Sequence, residues 1–249
     1  MVPGVCSALT AMILSVYEDL LNIIEGFYKP KIIIKNIMFL IGILMGVVFA
    51  VVVISLLLKD YKSYLMIYFF GLTIGGTIKL LKKVSLNSFR QYAAILFGIL
   101  LSIVPVCFSL KDNGNDSLLV IGISGFISSL AFIMPGISGS MLLLVLGVYD
   151  IIIISMSDIF NFYINGMNYN SLIICIVFGF SFFIGAVFFS KIIKKLLRDY
   201  KQIFLTISLG LLIGMLCLMS FDILQSNINS FLMILISCIG IITIKFFGE

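Results

Sequence analysis

Apolar runs as long as a lipid bilayer is thick constrain this chain more than any other feature. A helix rises about 1.5 Å per residue, so about 20 residues cross the hydrocarbon layer. Five stretches meet or approach that length: 32–58, 63–81, 91–110, 171–193 and 202–221. A sixth, 230–247, is slightly short but flanked by polar residues. A backbone in lipid must satisfy its own N–H and C=O groups, and continuous runs of this kind do so as helices. Composition agrees: 62% of the 249 residues are hydrophobic and 11% charged, where soluble domains run near half apolar and about a quarter charged. No soluble core of this size hides so much apolar surface.

Two regions depart from simple spans. Residues 1–24 carry Pro3-Gly4 near their start, and 117–155 is apolar over a long stretch but interrupted by Pro135-Gly136. The latter is too long for one crossing. Proline removes a backbone donor and glycine loosens the helix, so the chain is expected to turn there. Such a break survives in a bilayer only when buried in protein or facing a watery cavity. The spacing therefore predicts a helical hairpin over 117–155, re-entrant, with its turn at Pro135-Gly136.

The two Pro-Gly regions are related. Val2-Pro3-Gly4-Val5 overlays Met134-Pro135-Gly136-Ile137 at an offset of 132, which brings Val16-Tyr17-Glu18 onto Val148-Tyr149-Asp150. Further on, an offset of 139 aligns Gly46 with Gly185, Lys59-Asp60-Tyr61-Lys62 with Arg198-Asp199-Tyr200-Lys201, and Gly71 and Gly75 with Gly210 and Gly214. Apolar runs align by chance; a matched polar loop with glycines in register does not. The expectation is one integral membrane domain over 1–249, made of repeats 1–112 and 117–249. The chain begins at Met1 with no apolar arm before Pro3, so the first hairpin is expected to lack its entering arm.

Charge sets the orientation. If 117–155 enters and leaves on one side, 13 of the 16 Lys and Arg fall on one face, in clusters around Lys29–Lys35, Lys79–Arg90, Lys191–Lys201 and Lys245. That is a strong positive-inside bias, and it collapses if 117–155 crosses once. The repeats then have opposite orientation. The predicted fold is an all-α polytopic membrane protein with two inverted-topology repeats, each a Pro-Gly-broken hairpin plus three transmembrane helices, a pattern typical of transporters. Asn168 falls on the external face.

Several chemistries have little support. There is no histidine, which removes the commonest general base and metal ligand. The five cysteines, at 6, 107, 175, 217 and 238, form no C-x-x-C pair, so neither a zinc site nor a disulfide framework is expected. No metal, cofactor or catalytic residue is assigned, and no acid-rich metal motif supports an enzyme. No long basic stripe with interleaved aromatics points to nucleic acid. The first residues do not form a signal peptide.

The Pro-Gly segments carry the most chemistry. A helix restarting in Pro135-Gly136-Ile137-Ser138-Gly139-Ser140 aims free N–H groups and its positive dipole end at the turn. Two hydroxyls and two glycines let an anion approach, which makes the turn a cradle for phosphate; the plainer reading is a capped helix turn. Pro3, Gly4 and Ser7 form the matching set. Glu18 and Asp150 occupy equivalent positions after each Pro-Gly and read either as interfacial carboxylates or as groups coupling transport to an ion. Tyr17 and Tyr149 beside them read as interface anchors. Gly42/Gly46, Gly71/Gly75 and Gly210/Gly214 have helix-packing spacing. The basic clusters at Arg90 and Arg198 read as orientation and anionic-lipid contacts.

These segments, Val2-Pro3-Gly4-Val5 with Leu14-Ser15-Val16-Tyr17-Glu18 and Met134-Pro135-Gly136-Ile137-Ser138-Gly139-Ser140 with Leu146-Gly147-Val148-Tyr149-Asp150, resemble the polyprenyl phosphate transporter family, the PopT-type undecaprenyl phosphate translocases. The resemblance covers essentially the whole chain. The second motif is close; the first departs from the family's V-P-G-V-S-G-G-T, with Cys6, Ser7, Ala8 and Leu9 following Val5. The resemblance implies a flippase in the prokaryotic cytoplasmic membrane. It would return undecaprenyl phosphate from the outer leaflet to the cytoplasmic one for cell-wall synthesis; the carboxylates Glu18 and Asp150, read from the residues, would be the groups that couple it to a proton or sodium. The residues alone suit an anion channel or exchanger equally well.

Overall fold

The computed structural model describes residues 7–14, 16–26, 34, 36–86, 88–107, 117–160, 168–224 and 230–247. Pro3 and Gly4 lie outside the described residues.

Every element formed by the described residues is an α-helix. In chain order they are α1 (Ser7–Ile13), α2 (Tyr17–Glu25), α3 (Ile37–Leu81), α4 (Phe89–Cys107) and α5 (Leu118–Ile133), then α6 (Gly139–Val145), α7 (Tyr149–Phe160), α8 (Tyr169–Asp199), α9 (Lys201–Leu224) and α10 (Ser230–Phe247). Among the described residues three helical segments are long and apolar enough to cross a membrane: Ser63–Leu81, Tyr169–Asp199 and Lys201–Phe221. Phe89–Ile103, Leu118–Ile133 and Phe231–Phe246 are shorter apolar helices.

The polar stretch 59–62, expected as a loop, is instead a kink inside α3. Only Tyr61 leaves the helical region, at φ −126° and ψ 26°. Tyr200, 139 positions on, breaks the helix between α8 and α9 in nearly the same conformation, φ −136° and ψ 39°. One residue suffices because the flanking backbone groups keep their helical partners. Tyr200 N–H still donates to the Leu196 carbonyl at 2.7 Å.

α9 is the most enclosed element. Phe204, Leu205, Leu209, Leu211, Leu212, Met215 and Met219 along it are all buried. α8 and α10 instead present Ile176, Phe180, Phe188, Phe231, Ile234 and Phe246 outward. A chain that faces lipid needs no polar exterior, and these exposed aromatics and aliphatics form the surface that composition called for.

Close helix pairs form where glycines remove the side chain between backbones. A methyl on Gly71 of α3 would strike the Ser237 backbone of α10, and Gly240 of α10 lies against Tyr68 and Leu72. In the same way Gly210 of α9 lies against Ile95 of α4, and Gly98 of α4 against Ile207 and Leu211. Gly75 meets Ile241 and Ile244; Gly214 meets Ile99 and Ser102. Every contact in one pair has a counterpart in the other, displaced by 139 positions on α3 and α9 and by 142 on α4 and α10. α3 and α9 also meet each other, head to tail. Phe69 packs with Met215 and Met219, while Ser85, just past α3, receives Gln202 Oε1 as acceptor for its N–H at 3.3 Å.

The broken stretch doubles back. Gly122 lies against Val177 and Ser181, and Gly185 against Phe126 and Ser129, so α5 and α8 run the same way. α7 runs against both: Asp158 near its end accepts from Ser171 Oγ (2.6 Å) and Asn168 (3.1 Å) at the start of α8, while Ile152 packs with Ile121 and Phe178. Had 117–155 crossed only once, α5 and α8 would run antiparallel.

Candidate functional site

The break after α5 is set by Pro135, which is fully buried. Met134 is extended at φ −89° and ψ 122°, Gly136 takes φ 91°, and Ser138 is extended again before α6 begins at Gly139. Gly136 needs glycine twice over. Its φ is in the left-handed region, and a Cβ would come within 2.6 Å of Leu211 Cβ and 3.0 Å of Leu212 N. Leu211 and Leu212 lie midway along α9, so the turn is seated halfway down the central helix.

A helix broken at proline orphans carbonyls in its last turn. One of these, on Ile133, accepts a hydrogen bond from Tyr17 Oη at 2.7 Å. Tyr17 is 4% exposed and Ile133 0%. The tyrosine is thus a buried tie from α2 to the broken helix rather than the surface anchor its sequence context suggests. Tyr17 belongs to the same buried cluster as Ile133, Leu209 and Leu212.

The segment after each Pro-Gly pair repeats. α1 and α6 cover positions 132 apart, and α2 and α7 both open on the tyrosine of the Val-Tyr-acid triplet. Val16 N–H donates to Ala11 O at 2.9 Å, and Val148 N–H to Leu143 O at 3.1 Å. In the second case Gly147, at φ 67°, closes the turn, the usual way a helix end satisfies its carbonyls.

Gly139 opens α6, and a Cβ there would meet only Ala131, at 3.8 Å. Ser140 is the second residue of α6, and Ser7 opens α1. Glu18 and Asp150 are both exposed. Arg90 is exposed at the start of α4. Arg198 is held by Asp199 at 2.9 Å.

Sequence reasoning did not single out two cavities at one end of the bundle, each of about 540 Å³. Leu9, Met12, Leu80 and Leu205 wall the first with apolar surface, and Lys79, Lys83 and Lys201 supply cationic groups opposite Glu18 and Asp19. The second is lined by Glu18, Glu25, Lys191, Lys194, Lys195 and Arg198, with Lys194 Nζ paired to Glu25 at 2.9 Å. Glu18 and Leu197 border both; Asp150 borders neither, so the two carboxylates do not share a site. The basic clusters after α3 and at the end of α8 thus meet in space, 118 positions apart between Lys83 and Lys201.

A second residue hidden in an apolar run is Ser208. It is 0% exposed, and its hydroxyl has no hydrogen-bond partner among the described residues. Such groups are rare in native proteins. Three and four positions before Leu211 and Leu212, it shares the α9 face that receives the Gly136 turn. The buried hydroxyls of α5 differ: Ser128 donates to Ser124 O and Ser129 to Phe126 O, both at 2.6 Å.

The geometry defines an all-helical membrane protein with a backbone turn built into its interior. Among the described residues no group of three His, Cys, Asp or Glu is placed to hold a metal. A family model described as undecaprenyl phosphate translocase-like (VCA0040-like) matches residues 1–226, and the chain belongs to that family, one of transporters rather than enzymes. The chain is 30% identical over 194 residues to a polyprenyl-phosphate transporter of Staphylococcus aureus, covering 72% of this chain and 66% of that protein. It is 26% identical over 231 residues to a polyprenyl-phosphate transporter of Vibrio cholerae, covering 86% and 71%. The chain thus spans about two thirds of the length of these relatives. No solved structure gives a significant match.

Proposed function

We propose that this chain carries a polyprenyl phosphate across the prokaryotic cytoplasmic membrane, returning undecaprenyl phosphate from the outer to the cytoplasmic leaflet for cell-envelope polymer synthesis. The observation that carries the reading is the Pro135-Gly136 turn seated against the middle of α9. Non-helical backbone at that depth is tolerated where it is buried in protein or lines a water-filled cavity, and family membership points to the class of cargo. The relatives' names favour a lipid phosphate over a small anion.

In this mechanism the phosphate sits at the turn between Gly136 and Ser140. Ser138, Gly139 and Ser140 offer backbone N–H groups, with hydroxyls from the two serines; Pro3, Gly4 and Ser7 are the matching segment, in which Gly4 and Ser7 carry the N–H donors. The polyprenyl tail stays in lipid. The two halves are inverted repeats, each with a re-entrant hairpin, rocking about an axis in the membrane plane. Two features support that symmetry: the glycine contacts correspond one for one between halves, and the equivalent helices α3 and α9 lie head to tail. Glu18 and Asp150 are the carboxylates proposed to couple a proton or sodium, each at its own end.

Polyprenyl phosphate transport in proteoliposomes tests this. Ser138→Ala combined with Ser140→Ala is expected to slow transport roughly tenfold or more, since hydrogen bonds to a charged group are the strong ones. Unchanged transport by the folded variant removes the hydroxyl cradle. Absence of transport by the wild type, together with failure to rescue growth of a strain lacking its lipid-carrier translocases, removes the function.

A further inference from the structure

We infer that the cavity enclosed by α1, α2, the end of α3 and the start of α9 is a second anion site. It takes a phosphate monoester attached to an apolar chain, separate from the Pro-Gly turn. The site is amphipathic in the way such a ligand demands. Leu9, Met12 and Leu205 offer apolar wall, and Lys79, Lys83 and Lys201 bring three ammonium groups to the same space of about 540 Å³. Lys83 and Lys201 come from segments 118 positions apart, and neither is ion-paired among the described residues. Lys83 and Lys201 repel one another, and an anion between them relieves the repulsion.

Glu18 and Asp19 border the same cavity. Neither closes an ion pair across it among the described residues, so the two signs line one open space. Among the described residues both signs border it in nearly equal number. That balance suits a station a ligand must also leave, because binding that is too tight stops conduction. A monoester carries close to two negative charges at neutral pH, against one on a diester, so the lysines select the monoester.

Ser208 extends the argument inward. On α9 the positions Lys201, Leu205, Ser208 and Leu212 follow one helix face. That face runs from the cavity to the residue against which Gly136 packs. The unpartnered Ser208 hydroxyl lies between them, as a polar step between the cavity and the turn. The lipid as source of the phosphate rests on the proposed transport; the anion chemistry of the cavity does not.

The test is protection of native lysines. Purified full chain in detergent is treated with an amine-acetylating reagent, and modification of Lys83 and Lys201 is read by mass spectrometry. Farnesyl phosphate is expected to protect both; farnesol and phosphatidylglycerol are expected not to. Protection by inorganic phosphate alone, at a higher concentration, marks the headgroup as the recognised part. No protection by farnesyl phosphate, or equal protection by phosphatidylglycerol, overturns the inference. Lys83→Gln with Lys201→Gln should bind farnesyl phosphate about tenfold more weakly, as two lost surface charges imply, and Lys83→Arg with Lys201→Arg should restore binding. Wild-type affinity in the glutamine variant also overturns it. The protection assay uses native protein, so it stands if a variant fails to fold. Transport without protection sinks the cavity alone, and protection without transport sinks the proposed function alone.

Discussion

The hydroxyl of Tyr17 closes a gap that Pro135 opens. The Ile133 carbonyl would, in an unbroken helix, accept from the residue four positions on; here it accepts from another helix at 2.7 Å. Removing the donor leaves a buried acceptor unsatisfied, which costs about 1–3 kcal/mol. Tyr17→Phe should therefore lower the thermal unfolding midpoint in detergent micelles, and an unchanged midpoint would show that the bond contributes nothing to stability. At this scale the sequence is least informative. Tyr17 sits beside a carboxylate at the end of an apolar run, a context shared by surface anchors, and its partner lies 116 positions away. Ser208 is equally hidden, since nothing in its neighbours distinguishes it from a filler. The proline and glycines were legible because their effect is on their own backbone: Pro135 ends α5, and Gly136 takes the positive φ that the turn requires.

Helix pairs show where spacing suffices and where it misleads. All three small-x-x-x-small pairs predict packing. Gly71/Gly75 and Gly210/Gly214 lie directly on a partner backbone, whereas a Cβ on Gly42 or Gly46 meets nothing within 4 Å among the described residues. Spacing reports a smooth helix face but not whether another helix occupies it. Gly210→Leu should thus destabilise the folded protein by about 1–3 kcal/mol through overpacking against Ile95. Gly46→Leu should stay within about 0.5 kcal/mol. Comparable losses in the two variants, measured by thermal unfolding, would contradict the glycine contacts. The break expected at 59–62 is present but takes a single residue, Tyr61, because charged residues at the end of an apolar run mark where a helix breaks and not how many residues the break takes. The 142-position relation between α4 and α10 escaped notice because those helices carry no polar anchors to align.

At the scale of the whole molecule, the charge argument and the chain direction are both compatible with the proposed hairpin topology. The parallel course of α5 and α8 agrees with the hairpin that the positive-inside rule requires. Lys79, Lys83 and Lys201 share a cavity at one end, while Asp158, Asn168 and Ser171 meet at the opposite end of α8. In intact cells an Asn168→Cys variant on a cysteine-free background should react with a membrane-impermeant maleimide from outside, and Lys83→Cys only after permeabilisation. Labelling of Asn168→Cys only from the cytoplasm would overturn the inverted arrangement. The crosswise pairing of α3 with α10 and of α4 with α9 also dictates when the molecule can be finished. Gly71 waits for Ser237, which the ribosome adds 166 residues later, a delay of about 8–30 s at usual rates of synthesis. Until then the small-residue face of α3 rests against lipid or insertion machinery. The first half therefore cannot mature as an independent unit: a chain stalled before Lys201 leaves α3 and α4 both without their partner helix, and one stalled before Ser230 still leaves α3 unmatched.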